Sequence, residues 1–92
     1  MNLLIVEDEP RMLDLLYRGL NEEGHLVMCA HDGEEGLSMT RQYPFDVIIL
    51  DVMMPKADGF RVLKLMRAEN NQTAVIMLTA KDTVSDIVRG LD

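Results

Sequence analysis

Four short apolar runs punctuate the chain, and each is followed by a stretch in which apolar residues recur at helical spacing. The first run, Leu3-Leu4-Ile5-Val6, lies in a strand predicted over residues 2–7. Pro10 then stands where a first helical turn tolerates it, with Asp8 or Glu9 as the N-cap. Met12, Leu13, Leu16 and Leu20 mark one face of a helix that runs to about residue 22, and Gly24 is its C-terminal stop. A second strand is predicted over 26–30. Asp32-Gly33 reads as a turn or cap before a weaker helix to about residue 42, since Leu37 and Met39 make a thin apolar face and Gly33 and Gly36 lower its propensity. Pro44 breaks the chain ahead of a third strand over 46–50. Beyond the segment from Met53 to Gly59, residues Phe60, Leu63 and Met66 predict a third helix that ends near Asn70-Asn71. A fourth strand is predicted over 74–79, and Val84, Ile87, Val88 and Leu91 give a last helix capped by Asp82 or Thr83.

The order is β-α-β-α-β-α-β-α. Strands one, three and four are near-continuous Val, Ile, Leu and Met, the pattern of strands covered on both faces. Short connections and right-handed crossovers then imply an α/β, doubly wound parallel sheet with strands in the order 2-1-3-4. Ligands of such sheets bind beyond the carboxyl ends of the strands, where the strand order reverses. For that order the point lies between strands one and three.

The residues at that edge are chemically distinctive. Strand one ends in Glu7-Asp8, strand three in Asp51, and strand four in Thr79. Two carboxylates about 4 Å apart repel by roughly 4 kcal/mol at an effective dielectric near 20, so three need a proton or a cation. All-oxygen ligands select Mg²⁺, for which Mn²⁺ can substitute. Asp8 and Asp51 are the expected direct ligands, with Glu7 acting through water. With the charge balanced, Asp51 can also serve as a nucleophile toward phosphorus, because carboxylates form acyl phosphates. Thr79 can donate its hydroxyl to a phosphoryl oxygen. Each residue alone has a plainer reading: Glu7 as a solvated strand end, Asp8 as a helix cap, Thr79 as a turn residue. Their conjunction behind three buried strands carries the case.

Composition narrows the function further. The formal charge of −7 over 92 residues argues against non-specific nucleic-acid binding, which needs Lys and Arg against phosphate. Cys29, the sole cysteine, sits in an apolar run and reads as a buried, inert thiol. The eight methionines are core filler rather than a ligand set, and His25 and His31 lie away from the acidic edge. The N-terminus lacks a signal-peptide pattern, and no run approaches the roughly 20 apolar residues of a membrane span, so the cytoplasm is the expected location.

Taken together, Leu4-Ile5-Val6-Glu7-Asp8-Glu9-Pro10, Asp46 to Pro55, Asp58-Gly59 and Met77-Leu78-Thr79-Ala80 resemble the receiver domain of bacterial two-component response regulators, which has the CheY-like (flavodoxin-like) fold. The likeness spans residues 1–92. It implies that Asp51 accepts a phosphoryl group from a sensor histidine kinase. It implies that Glu7 and Asp8 support Mg²⁺, that the main-chain carbonyl of Met53 joins the ligands, and that Thr79 is the switch hydroxyl. The segment from Leu78 to Asp82 and the ending Arg89-Gly90-Leu91-Asp92 look most like the OmpR/PhoB-type subfamily, whose members act in transcription regulation through a DNA-binding output domain. Contact with DNA would run only through such a domain, which is missing here.

One departure from the family pattern stands out. Receivers have a fifth strand and fifth helix, and a lysine after that strand which pairs with the phosphoryl group. The chain stops after the fourth helix. A C-terminally truncated receiver, impaired in phosphorylation or in relaying it, is therefore expected. It would form dimers or higher assemblies by pairing the apolar edge of strand four or exchanging the terminal helix. The protein is expected to be a phosphoryl acceptor and signalling switch, not an enzyme acting on other substrates. Two alternatives belong to other classes. A phosphorylation-independent pseudo-receiver would have lost an acidic residue, and all are present. An Asp-dependent phosphohydrolase would place a second catalytic acid just after Asp51, where Val52 and Met53 stand.

Overall fold

The computed structural model describes residues 1–54, 59–78 and 84–91. The elements are β1 (Asn2–Val6), α1 (Pro10–Glu22), β2 (Leu26–Ala30), α2 (Gly33–Gln42), β3 (Val47–Asp51), α3 (Gly59–Ala68), β4 (Ala74–Leu78) and α4 (Val84–Gly90). The strands form one parallel sheet in the order β2-β1-β3-β4, as the pattern predicts. Structured ends move by a residue. The β1 strand stops at Val6 and β4 at Leu78, while β3 runs from Val47 to Asp51. Asp46 is nevertheless tied to the sheet entrance: its N–H donates to the Asn2 carbonyl (2.8 Å), and its carboxylate accepts from the Asn2 N–H (2.7 Å).

Period-two alternation divides the core into two layers. Leu4, Val6, Ala30, Ile48 and Leu50 pack with Leu37 of α2 and Val62 and Met66 of α3 on one face. Leu3, Ile5, Ile49 and Leu78 pack with Leu13, Leu16 and Leu20 of α1 and Ile87 of α4 on the other. Central β1 and β3 are thus covered on both sides. The β4 strand is not: Val75, Ile76 and Met77 are only half-buried and Ala74 is exposed, which corrects the expectation of a fully covered fourth strand. It is an edge strand among the described residues. The opposite edge, β2, leaves Leu26 72% exposed.

Local chemistry sets the helix ends. Of the two candidate caps for α1, Glu9 is the one used: its carboxylate accepts from Arg11 N–H (3.2 Å) and Met12 N–H (2.7 Å). At the other end Gly24 takes φ +90°. The His25 N–H reaches the Leu20 carbonyl (3.3 Å) and the Gly24 N–H reaches that of Asn21 (3.0 Å), a Schellman closure. Asn70, at φ 62°, closes α3 the same way, with the Asn71 N–H on the Met66 carbonyl. Asp32 caps α2 through the Glu35 N–H (2.8 Å). The expected caps of α4, Asp82 and Thr83, lie outside the described residues.

The weak apolar face of α2 has a physical counterpart. Gly33, Gly36 and Thr40 are buried beside Leu37. A Cβ at Gly36 would come within 2.8 Å of Val6 Cγ2, so the helix lies unusually close to β1. The glycine that lowers helical propensity is the one that permits this approach.

Candidate functional site

The acidic site follows from strand register. Val6 pairs with Leu50, so one step further along the parallel strands Glu7 comes beside Asp51. The Glu7 N–H donates to the Ala30 carbonyl (3.1 Å), which fixes the end of β1 against β2. On the other side, Asp51 pairs with Leu78, and the Val52 N–H continues the ladder to the Leu78 carbonyl (3.1 Å). Both backbones are held up to the point where the carboxylates begin.

Glu7, Asp8 and Asp51 each offer a carboxylate oxygen, and these atoms lie within 4.8 Å of one another. Glu7 is buried, at 3% exposure, while Asp8 and Asp51 are half-buried. Two main-chain donors orient the cluster. The Glu9 N–H donates to Glu7 Oε1 (3.0 Å), and the Met53 N–H donates to Asp51 Oδ1 (3.0 Å). The Glu7 carboxyl is pushed up from 4.5 to about 7. Burial is the main cause; the charge of Asp51, a hydrogen bond to it and the charge of Asp8 add to the rise, and the Glu9 N–H opposes it. At this spacing each ionised pair repels by about 3 kcal/mol at an effective dielectric near 20. The site answers that repulsion in one of two ways, with a proton on Glu7 or with a cation among the oxygens.

The donor set fits a hard divalent ion. It is all oxygen, anionic, grouped and partly open to solvent, and no histidine or thiol joins it among the described residues. Among the predicted site residues, Glu7, Asp8 and Asp51 are brought together. Met53 stands two residues beyond Asp51, its N–H tied to the Asp51 carboxylate and the residue 77% exposed. Thr79, like Lys56, Asp58 and Lys81, lies outside the described residues. His31 is held by Glu35 (Nδ1 to Oε2, 3.3 Å). Cys29 is half-buried, and burial raises its thiol, as an inert cysteine requires. No described helix is long and apolar enough to cross a membrane.

Sequence reasoning named Gly59 only as half of the Asp58-Gly59 pair in the family likeness and gave it no role at the site. It opens α3, it is buried, and its N–H donates to the Val52 carbonyl (3.3 Å), one residue past Asp51. A glycine at the first position of a helix, shortly after an acidic strand end, is the signal that could have pointed to it.

Comparison with known proteins places the chain in a family. The model of the response regulator receiver domain matches residues 3–92. The chain belongs to the receiver domain family. Among curated relatives, the transcriptional regulatory protein TcrA of Mycobacterium tuberculosis is 44% identical over the whole chain, which covers 36% of TcrA. HprR of Escherichia coli K12, another transcriptional regulatory protein, is 41% identical, again over the whole chain and over 41% of HprR. This receiver thus spans about two-fifths of the length of such relatives. Among solved structures, the receiver domain of the Francisella response regulator 1452 superposes with a TM-score of 0.83 at 33% identity, covering 98% of this chain and 74% of that one. The response regulator TrrA of Thermotoga maritima, in complex with Mg²⁺ and BeF, gives 0.82 at 34% identity over 97% and 78%.

Proposed function

We propose that residues 1–92 form a receiver domain whose Asp51 accepts a phosphoryl group from a sensor histidine kinase, in a Mg²⁺-dependent reaction. The observation that carries this is the convergence of Glu7, Asp8 and Asp51 within 4.8 Å at the strand-order switch point. Mg²⁺ (or Mn²⁺) would be held by Asp8 and Asp51, by Glu7 through water, and by the Met53 main-chain carbonyl. When bound, it neutralises the acids and the charge developing on the phosphoryl oxygens. The TrrA complex with Mg²⁺ and BeF, on a fold superposing at 0.82, supports that assignment.

The residues of the chain supply the rest. An oxygen of Asp51 forms a bond to phosphorus as the bond from phosphorus to the donor imidazole nitrogen breaks, and the electron pair leaves with the imidazole. The product is an acyl phosphate on Asp51, returned to carboxylate and inorganic phosphate by water. Thr79 is the switch hydroxyl in this reading. The protein catalyses only its own phosphorylation and dephosphorylation, acts in the cytoplasm, and reaches DNA only through an output domain of the kind its relatives' names imply. An acyl phosphate donor tests the reaction directly. Intact-mass analysis should find a single label that requires Mg²⁺, vanishes with chelator and is released by hydroxylamine. A label that ignores chelation, or resists hydroxylamine, overturns the assignment.

The half-buried β4 supports a second copy of this chain as partner. Val75, Ile76 and Met77 keep apolar surface on a strand at the sheet edge, and Val84, Val88 and Leu91 of the α4 region are only partly covered. Edge pairing through β4 or exchange of α4 gives a dimer or larger assembly. Sedimentation should show a mass that rises with concentration; a monomer throughout the micromolar range rules this out.

A further inference from the structure

We infer that Gly59 is a positioning residue for the acceptor: by lacking a side chain it lets the first turn of α3 seat against the main chain of Asp51. The inference rests on the reading of Asp51 as acceptor and metal ligand. An ideal Cβ on Gly59 would approach the Asp51 carbonyl oxygen more closely than Cβ atoms ever do, and would lie 3.0 Å from the carbonyl carbon. These are backbone atoms of a central strand, so they cannot swing aside as a side-chain tip can. Met77 Cε, at 3.1 Å, completes the contact.

The seat matters because the same short segment carries the chemistry. Asp51 Oδ1 is fixed by the Met53 N–H, Val52 by its ladder bond to Leu78, and the Val52 carbonyl by the Gly59 N–H. A methyl group at position 59 must push α3 outward or push residues 51–53 away from Glu7 and Asp8. Pairing with β1 holds β3 only as far as Leu50, so the displacement falls on residues 51–53 beyond that last pair. Gly59 therefore sets the distance between the acceptor and the acids of β1. Other close glycines do not act there: a Cβ at Gly36 meets only the Val6 side chain, and one at Gly19 only Val84 and Val88.

Gly59→Ala tests this beside Met66→Ala, which hollows the α3 core at a fully buried residue without placing an atom against Asp51. Both variants should lose stability. Only Gly59→Ala should weaken Mg²⁺ binding measured by calorimetry, by about tenfold or more, the range seen when the supports of metal ligands are disturbed. Only Gly59→Ala should, in metal-free protein, lose the downfield amide shift of Met53 that reports its bond to Asp51. Unchanged affinity and unchanged Met53 shift in a folded Gly59→Ala chain overturn the inference. If Gly59→Ala does not fold, the Met77→Ala background clears the side-chain contact and leaves the backbone clash. Folding regained with Mg²⁺ binding still weak supports the inference; both regained, or neither, overturns it. Wild-type protein that binds no Mg²⁺ instead removes the reading of the site on which the inference stands.

Discussion

Asp51→Asn will take up no phosphoryl label from an acyl phosphate, even with saturating Mg²⁺, while keeping its fold. The substitution is nearly isosteric and leaves an oxygen able to accept the Met53 N–H now bonded to Oδ1 at 3.0 Å. It also removes one negative charge from a cluster in which each ionised pair costs about 3 kcal/mol. Metal-free stability should hold or rise. Labelling should fall to background, because an amide oxygen is a poor nucleophile and no other carboxylate shares its place. Asp8 and Glu7 lie within 4.8 Å, so a residual label on either is the alternative outcome. Peptide mapping distinguishes the cases, and a label of wild-type intensity at any residue defeats the acceptor assignment.

The second large effect concerns pH. In metal-free protein the Glu7 carboxyl titrates at about 7 rather than 4.5. A raised carboxyl contributes stability that is fully present below the unfolded value, near 4.5, and is lost as pH climbs through about 7. Glu7→Gln mimics the protonated form and has no such loss. With chelator present, the variant and the wild type should match near pH 4. By pH 8 the variant should be the more stable by up to about 3.5 kcal/mol, because each tenfold change in proton affinity is worth about 1.4 kcal/mol. Adding Mg²⁺ at pH 8 should reverse the order, since ion binding stabilises the wild type by mass action and the amide supports the ion poorly. Parallel denaturant titrations across this range decide the matter; identical curves for the two chains at every pH show that Glu7 is not under strain.

Much of this was readable from the residues alone, for a specific reason. The central strands of a doubly wound sheet are buried on both faces, so β1 and β3 announce themselves as unbroken apolar runs, and the register they adopt brings their terminal acids together. Helix stops were equally plain at Gly24 and Asn70, where a left-handed backbone favours glycine or asparagine. What escaped the sequence depends on distance in space. Gly36 looked like a weakness in α2 until its separation from Val6 was known. Gly59 stood only as part of the family likeness until its neighbour proved to be the Asp51 carbonyl. The edge position of β4 followed from the predicted strand order, but the run Val75-Ile76-Met77 looked like a strand covered on both faces and gave no sign that these residues are only half-buried.

The tether on Asp51 Oδ1 has a stereochemical outcome. A free aspartate presents two interchangeable oxygens, but here one is already engaged by a main-chain donor before any donor molecule arrives. The carboxylate is desymmetrised by the fold itself. Under the proposed function, the two oxygens would therefore meet an incoming phosphorus from unlike starting points, and the backbone at Met53 sets that difference.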